Sequence, residues 1–481
     1  MRFTSVCIIA CLLLGACQHR PGSTNAGSGP RELPTGSVKS SGPLLSYADV
    51  VDRVAPAVVT IRSSRRVRAP QQFPFFDDPF FRRFFGGGFG GGGGSQVQQA
   101  LGSGVIVRSD GHILTNHHVI DGAEEIKVDL NNKRTYSAKL VGSDAPSDLA
   151  VLKISASDLP VLQLGDSDNV RVGDVALAVG NPLGVGETVT AGIISAKGRA
   201  TGLSDGSFQD FLQTDAPINQ GNSGGALVNT RGELVGINSQ IISPNGGNIG
   251  IGFAIPSNMA KNVMDQLIGK GSVQRGMLGV GIQQVTSELA ASLGLKEVRG
   301  VAVNSVTPGG PADKAGVKPG DVIVKLNGKD VNDTNVLRNQ VAATGPGNEV
   351  TLTIVRDGQQ QDVRVKLGEL NAETARAGQQ QGGGGATAGQ LGLTVTQLTP
   401  DIARQLGLRN GTSGVVVEEV DPSGPAAQAG IQMGDVIQQV NRQPVRTPED
   451  MRRALQSSNG RPPLLLINRG GQTIFVPVPL G

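Results

Sequence analysis

Beyond Cys17 this chain has no cysteine, and all three of its cysteines (Cys7, Cys11, Cys17) crowd its first residues. No disulfide can therefore staple the folded body, and no thiolate can serve there as a nucleophile. Tryptophan is absent, tyrosine occurs twice, and aromatics make up 3% of the sequence. The 43 basic and 40 acidic side chains are interspersed and leave a formal net charge of +3. No basic stripe with interleaved aromatics exists, which excludes a nucleic-acid-binding surface. Histidine is scarce too, four in 481 residues, so histidine-dependent chemistry has few places to reside. Glycine is plentiful at 70 residues, which favours β-structure with many turns over long helices.

The opening MRFTSVCIIACLLLGAC has a positive start at Arg2 and a short apolar core, Ile8 to Leu14. Its length suits an export signal better than a membrane span. Leu14-Gly15-Ala16-Cys17 resembles a bacterial lipobox. The expectation is a signal peptide over 1–16, lipidation of Cys17 and a Ser/Gly/Pro-rich flexible tether over 17–43. An ordinary signal cleaved nearby is the alternative. Gln18 after the cysteine favours the outer membrane over the inner one.

From 44 to 270 short apolar runs (AVVTI, GVIV, HILT, LAVLKI, VALAVG, ELVGI) alternate with Gly, Asn and Asp. This spacing predicts an antiparallel barrel or sandwich. One interruption, 71–94, holds eight of the 13 phenylalanines among prolines and a glycine run. It reads as a long loop with an apolar tip that must contact something. Past residue 271 the chain repeats itself. PGGPADKAGVKPGDVIVKLNG (308–328) matches DPSGPAAQAGIQMGDVIQQVNR (421–442), with Pro311/Pro425, Gly316/Gly430, Asp321/Asp435 and Asn327/Asn441 at one constant offset. Two tandem modules, 276–370 and 390–481, joined by a linker over 371–389, are expected.

QGNSGGAL (220–227) places one serine among three glycines. A tight turn is the plain reading. The alternative is a nucleophile whose glycine neighbours leave a substrate carbonyl unobstructed and let backbone N–H groups meet an oxyanion. That needs a histidine and a carboxylate. His112, His117 and His118 all lie in GHILTNHHVIDGA (111–123). A three-histidine zinc site is disfavoured, because adjacent residues on a strand point to opposite faces. The same alternation turns one of His117 and His118 inward. Among nearby acids Asp148 stands at the mouth of the apolar LAVLKI, where a buried carboxylate needs a partner such as a histidine N–H. A surface turn aspartate is the alternative. The chain order is then His118, Asp148, Ser223, as in chymotrypsin-like enzymes.

TNHHV (115–119), SDLAVLKI (147–154) and QTDAPINQGNSGGALVN (213–229), followed by GELVGINSQIISPNGGNIGIGFAIPS (232–257), resemble the HtrA (Deg, protease Do) family of bacterial periplasmic serine proteases. The likeness runs from residue 44 to the end and includes both repeats, which resemble PDZ modules. It implies a mainly β chain: a chymotrypsin-like double barrel followed by two PDZ domains. It implies His118, Asp148 and Ser223 as the catalytic triad, with Gly221, Asn222 and Ser223 around the oxyanion and substrate, and no metal or cofactor. Family members usually carry TNNHV, so His117 stands where an asparagine is usual. Leu278, Gly279 and Val280, and Leu391, Gly392 and Leu393, would receive peptide carboxylates. GINSQII (236–242) would wall a pocket for small aliphatic residues, because Pro217 stands where trypsin-like enzymes keep an aspartate. The family further implies unfolded protein substrates, trimers or multiples of trimers, chaperone activity beside proteolysis, and a regulatory loop at 71–94. A binding protein without proteolysis is the rival reading; it leaves the complete triad without use.

Overall fold

The computed structural model describes residues 46–67, 96–181, 187–201, 207–219, 221–241, 248–370, 387–388, 391–408, 412–456 and 462–479. Cys17, the tether, the Phe-rich stretch 71–94 and most of the linker lie outside them. Among the described residues no helix is long and apolar enough to cross a membrane.

Strands β1 (Val58–Val67), β2 (Gln96–Arg108), β3 (His112–Thr115), β4 (Glu125–Asp129), β5 (Thr135–Asp144) and β6 (Leu149–Ile154) close into one barrel, in the order β1-β2-β3-β6-β5-β4. A second barrel runs β10-β11-β12-β9-β8-β7, from β7 (Val175–Gly180), β8 (Thr188–Arg199), β9 (Phe211–Thr214), β10 (Ala226–Val228), β11 (Leu234–Ile241) and β12 (Gly252–Pro256).

The period-2 geometry of strands explains why β6 is apolar at every position but Lys153. Ala150, Leu152 and Ile154 fill the first barrel, while Leu149 and Val151 face the seam between barrels. In the second barrel Ala176, Ala178 and Leu227 point inside, and Leu177, Val179, Ala226 and Val228 meet the same seam. The helix Ser257–Lys270 packs Ala260, Val263, Met264 and Leu267 on that seam. Each such side chain contributes about 1.5–3 kcal/mol by leaving water, less for alanine. Gly271 ends the helix in the left-handed region (φ 73°) and returns its N–H to the Leu267 carbonyl.

The first repeat is a sheet in the order β14-β15-β16-β18-β19, with β17 on β16 and a separate β13–β20 pair. Its strands are β13 (Gly276–Met277), β14 (Val280–Gln284), β15 (Val301–Val306), β16 (Val322–Leu326), β17 (Lys329–Asp330), β18 (Glu349–Arg356), β19 (Gln359–Lys366) and β20 (Gly368–Glu369). The second repeat runs β21-β22-β23-β24-β26-β27 with β25 on β24. These are β21 (Thr387–Ala388), β22 (Leu393–Gln397), β23 (Val415–Val420), β24 (Val436–Val440), β25 (Gln443–Pro444), β26 (Leu464–Arg469) and β27 (Gln472–Pro477).

The repeated aspartates anchor both sheets. Asp321 and Asp435, each 1% exposed, take bidentate bonds from Arg356 (2.6 and 2.7 Å) and Arg469 (2.7 and 2.7 Å). Each also accepts from a backbone amide three residues before it, Lys318 at 2.7 Å and Gln432 at 2.8 Å. Arg469→Leu would leave Asp435 buried without its counter-charge and should cost the second repeat about 3 kcal/mol. Urea denaturation followed by a probe confined to that repeat checks this.

The two repeats share one apolar cluster. Leu464, Leu466 and Phe475 of the second pack with Val285, Leu289 and Val324 of the first. The Gln283 side-chain amide bonds both backbone groups of Phe475, at 2.9 and 2.8 Å, so it acts as one rung of sheet on the β27 edge.

Candidate active site

His118 follows β3, Asp148 precedes β6 and Ser223 precedes β10, so all three approach the inter-barrel seam. Asp144 caps a 3-10 turn, Ala145–Ser147, by accepting from the Ser147 amide at 3.0 Å. That turn delivers Asp148 in the left-handed region, φ 54°. Its backbone carbonyl is held by Asn116 Nδ2 (3.0 Å) and the His117 amide (3.2 Å).

His117 and His118 do not lie on a strand. They open a short helix, His117–Ile120, because the chain turns at Asn116 once β3 has ended. The rings are therefore separated by helical rotation and not by strand alternation. His118 Nδ1 lies 2.9 Å from both carboxylate oxygens of Asp148, and the His118 amide donates to Oδ1 at 3.0 Å. His117 Nε2 lies 3.6 Å from Asp121, and His112 Nδ1 is 2.6 Å from Asp110. The three rings thus engage three different carboxylates. Among the described residues no group of three metal-binding side chains occurs.

Burial pushes the Asp148 carboxyl up, but the His118 charge, the hydrogen bonds from its ring and amide, and the Ser239 hydroxyl outweigh that and hold it below its ordinary value of 3.8. The carboxylate is thus ionised and aimed at the imidazole.

Ser239 is a residue that sequence reasoning placed only in a pocket wall. Its hydroxyl donates to Asp148 Oδ2 at 2.9 Å, and its carbonyl accepts from Ser223 Oγ at 3.0 Å. The β11–β12 register shifts between Asn238 and Gln240, and this bulge leaves Ser239 out of the ladder and free to face the site. Its neighbours Asn238 and Gln240 are polar too, so nothing in the strand's sequence singles Ser239 out.

The serine turn is packed too tightly for side chains. Gly221 and Gly224 have φ 96° and 83°. A Cβ on Gly224 would stand 2.1 Å from the Ser103 carbonyl oxygen and 2.4 Å from Thr115 Oγ1. The Gly221 carbonyl accepts from Ser103 Oγ at 2.5 Å and the Ser223 carbonyl from the Ser103 amide at 2.8 Å. Asn222 is 1% exposed; its amide donates to Asn219 and its side chain lies against Gly180. Among the described residues neither the Gly221 nor the Ser223 amide donates to a carbonyl. The turn therefore fixes its carbonyls inward and leaves two N–H groups beside the serine.

The repeat loops are built alike. Gly279 and Gly392 have φ 73° and 70°. The carbonyls of Leu278 and Gly279 accept from Ala312 (2.9 Å) and Thr307 (2.8 Å), and those of Leu391 and Gly392 from Ala426 (3.1 Å) and Asp421 (2.8 Å). Val280 then opens β14, an edge strand, whereas Leu393 opens β22, whose outer edge pairs with β21.

Family models match this chain as a trypsin-like peptidase domain over 102–237 and as PDZ domains over 276–367 and 416–469. The periplasmic pH-dependent serine endoprotease DegQ of Escherichia coli K12 is 42% identical over 448 residues, covering 92% of this chain and 93% of the relative. A DegP-like periplasmic serine endoprotease of Chlamydia trachomatis is 42% identical over 436 residues, covering 90% and 86%. The HtrA-type protease AlgW, solved with a tripeptide, superposes with a TM-score of 0.55 at 44% identity, over 68% of this chain and 98% of that one.

Proposed function

This chain belongs to the HtrA family of periplasmic serine endoproteases, with a trypsin-like domain and two PDZ domains, and on that premise we propose that His118, Asp148 and Ser223 cleave unfolded proteins through an acyl-enzyme. The observation that carries the assignment is the Asp148 carboxylate held by both the ring and the amide of His118, with Ser239 bridging it to Ser223. Rotation of the Ser223 hydroxyl from the Ser239 carbonyl toward His118 Nε2 starts the reaction. His118 takes the proton as Oγ bonds the peptide carbonyl carbon, then returns it to the leaving amine. Asp148 keeps Nδ1 protonated and stabilises the imidazolium. Water, deprotonated by His118, then releases the acyl group. The amides of Gly221 and Ser223 receive the oxyanion, each contributing about 3 kcal/mol in the transition state. Casein digestion should yield new C-termini ending in valine or alanine, read by mass spectrometry of the fragments.

The positive-φ loops at Gly279 and Gly392 support capture of substrate C-termini, with Leu278 and Val280, and Leu391 and Leu393, beside them. The edge of β14, unpaired among the described residues, favours the first PDZ domain for this role. Chaperone-like holding of unfolded chains, assembly in trimers, restraint by the 71–94 loop and a lipid anchor at Cys17 complete the reading. Cys17→Ala should move the enzyme from the membrane pellet to the soluble periplasmic fraction; unchanged sedimentation would contradict the anchor.

A further inference from the structure

The first PDZ domain rests on the protease domain through one face of the helix Thr334–Thr344. Asn335 and Asn339 on that face both donate to the Gln209 carbonyl, each at 2.6 Å. Phe208 beside it lies under two guanidinium groups, Arg275 at 4.4 Å and Arg338 at 4.5 Å from the ring centre. Arg275 is itself paired with Asp144. Asp210 is the next residue after this clamp. It lines a cavity of about 280 Å³ between the two domains, together with Phe208, Met259 and Asn339. Gly198 sits between the Asp210 carboxylate and Val336 of the helix, with its Cβ position 3.8 and 3.9 Å from them.

Carboxylates face Asp210 from both sides of this junction. Asp168 approaches on the protease side and Asp333, which caps the helix, on the PDZ side. The cation facing it, Lys197, already donates to the carbonyls of Ser167, Asp168 and Val170 at 3.2, 2.9 and 2.6 Å. Lys329 of the PDZ domain turns to Asp168, at 3.8 Å. Among the described residues no donor bonds the Asp210 carboxylate. Docking thus brings Asp333 up to a carboxylate that already faces Asp168 and that has no donor among the described residues, beside the bonds that hold the domains together.

We propose that Asp210 is a proton-operated latch: its neutral form holds the first PDZ domain on the protease domain, and its ionised form loosens that junction.

Burial, then Asp168 and Asp333, against the opposing Lys197, push the Asp210 carboxyl up from 3.8 to about 6. In the undocked chain the carboxyl loses Asp333 and the cover of the helix, regains water and moves back toward its ordinary value, with Asp168 and Lys197 still beside it. The docked form therefore binds the proton more tightly. The extra stability is fully present below about pH 4 and is lost as pH rises through about 6. A shift of about two units due wholly to docking would move the equilibrium about a hundredfold; the share that Asp168 and Lys197 keep in the undocked protease domain, and water reaching the junction, reduce that to about tenfold. The latch concerns the seating of one domain on another, so it stands apart from the proteolytic reading and is testable in a chain that cannot cleave.

The test is single-molecule energy transfer between dyes on Arg134→Cys and Lys366→Cys, in a full-length Ser223→Ala chain whose native cysteines are alanine. Labelled chains are diluted into unlabelled ones. The open population should rise about tenfold relative to the closed one between pH 5 and pH 7.5, with a midpoint near 6. Asp210→Asn should stay closed throughout that range. Asp333→Asn, which removes one repelling charge, should keep the transition but lower its midpoint. A wild-type distribution independent of pH, or a transition that persists in Asp210→Asn, would overturn the proposal.

Discussion

Ser223→Ala is expected to lower kcat on casein about a million-fold, and His118→Ala by a similar factor, while His117→Asn stays within about threefold of the wild type. The size follows from how the three groups act. Without Oγ no acyl-enzyme forms, and without the His118 imidazole nothing removes the Ser223 proton at neutral pH. The contrast between adjacent histidines carries the information. His118 meets Asp148 through its ring and its amide. His117 contributes its amide to the Asp148 carbonyl and directs its ring toward Asp121. Asparagine keeps that amide, so its effect should be small. Steady-state rates on a chromogenic peptide measure all three; an inactive His117→Asn beside an active His118→Ala would reverse the assignment of the base.

Asp148→Asn should reduce kcat about ten-thousand-fold with little change in KM. The carboxylate accepts at every contact: from the His118 ring and amide at 2.9 and 3.0 Å, and from the Ser239 hydroxyl at 2.9 Å. An asparagine amide group must direct N–H bonds at one of these donors. Turning that group toward His118 favours the tautomer with the proton on Nε2, which cannot accept from Ser223. Turning it toward Ser239 disrupts the residue whose carbonyl holds the nucleophile. Ser239→Ala alone leaves the carboxylate and the backbone carbonyl in place, so a loss of about tenfold in kcat is expected. The left-handed backbone at Asp148 is shared by Asp148→Asn, because asparagine tolerates φ 54°. Circular dichroism and the melting temperature should therefore match the wild type.

Much of this arrangement was legible in the residues. The apolar LAVLKI announced a buried strand, and the structure shows that it feeds two cores through alternate residues. The glycines around Ser223 announced a crowded turn, and a Cβ at Gly224 has no room. The repeated aspartates marked corresponding positions, but only folding reveals the arginine each one meets, because Arg356 and Arg469 lie 35 and 34 residues away on neighbouring strands. Three features were not legible. Strand alternation was the wrong geometry for His117 and His118, since a tertiary turn at Asn116 overrides the local pattern. Ser239 gained its role from a bulge, which depends on the register of β12 and not on its own neighbours in sequence. The Asp210 junction joins segments from four distant parts of the chain, so no local pattern signals it.

The central claim is that one serine, Ser223, is made nucleophilic by His118 and Asp148. The direct measurement is labelling by a fluorophosphonate, which reacts with an activated serine and only slowly with an ordinary hydroxyl. The full-length enzyme is incubated with the probe and a peptide ending in a hydrophobic carboxylate, digested, and mapped by mass spectrometry. One adduct per chain on Ser223, absent in His118→Ala and strongly slowed in Asp148→Asn, is the result expected. An adduct on another serine, or equal labelling of Ser223 in wild type and His118→Ala, would contradict the account.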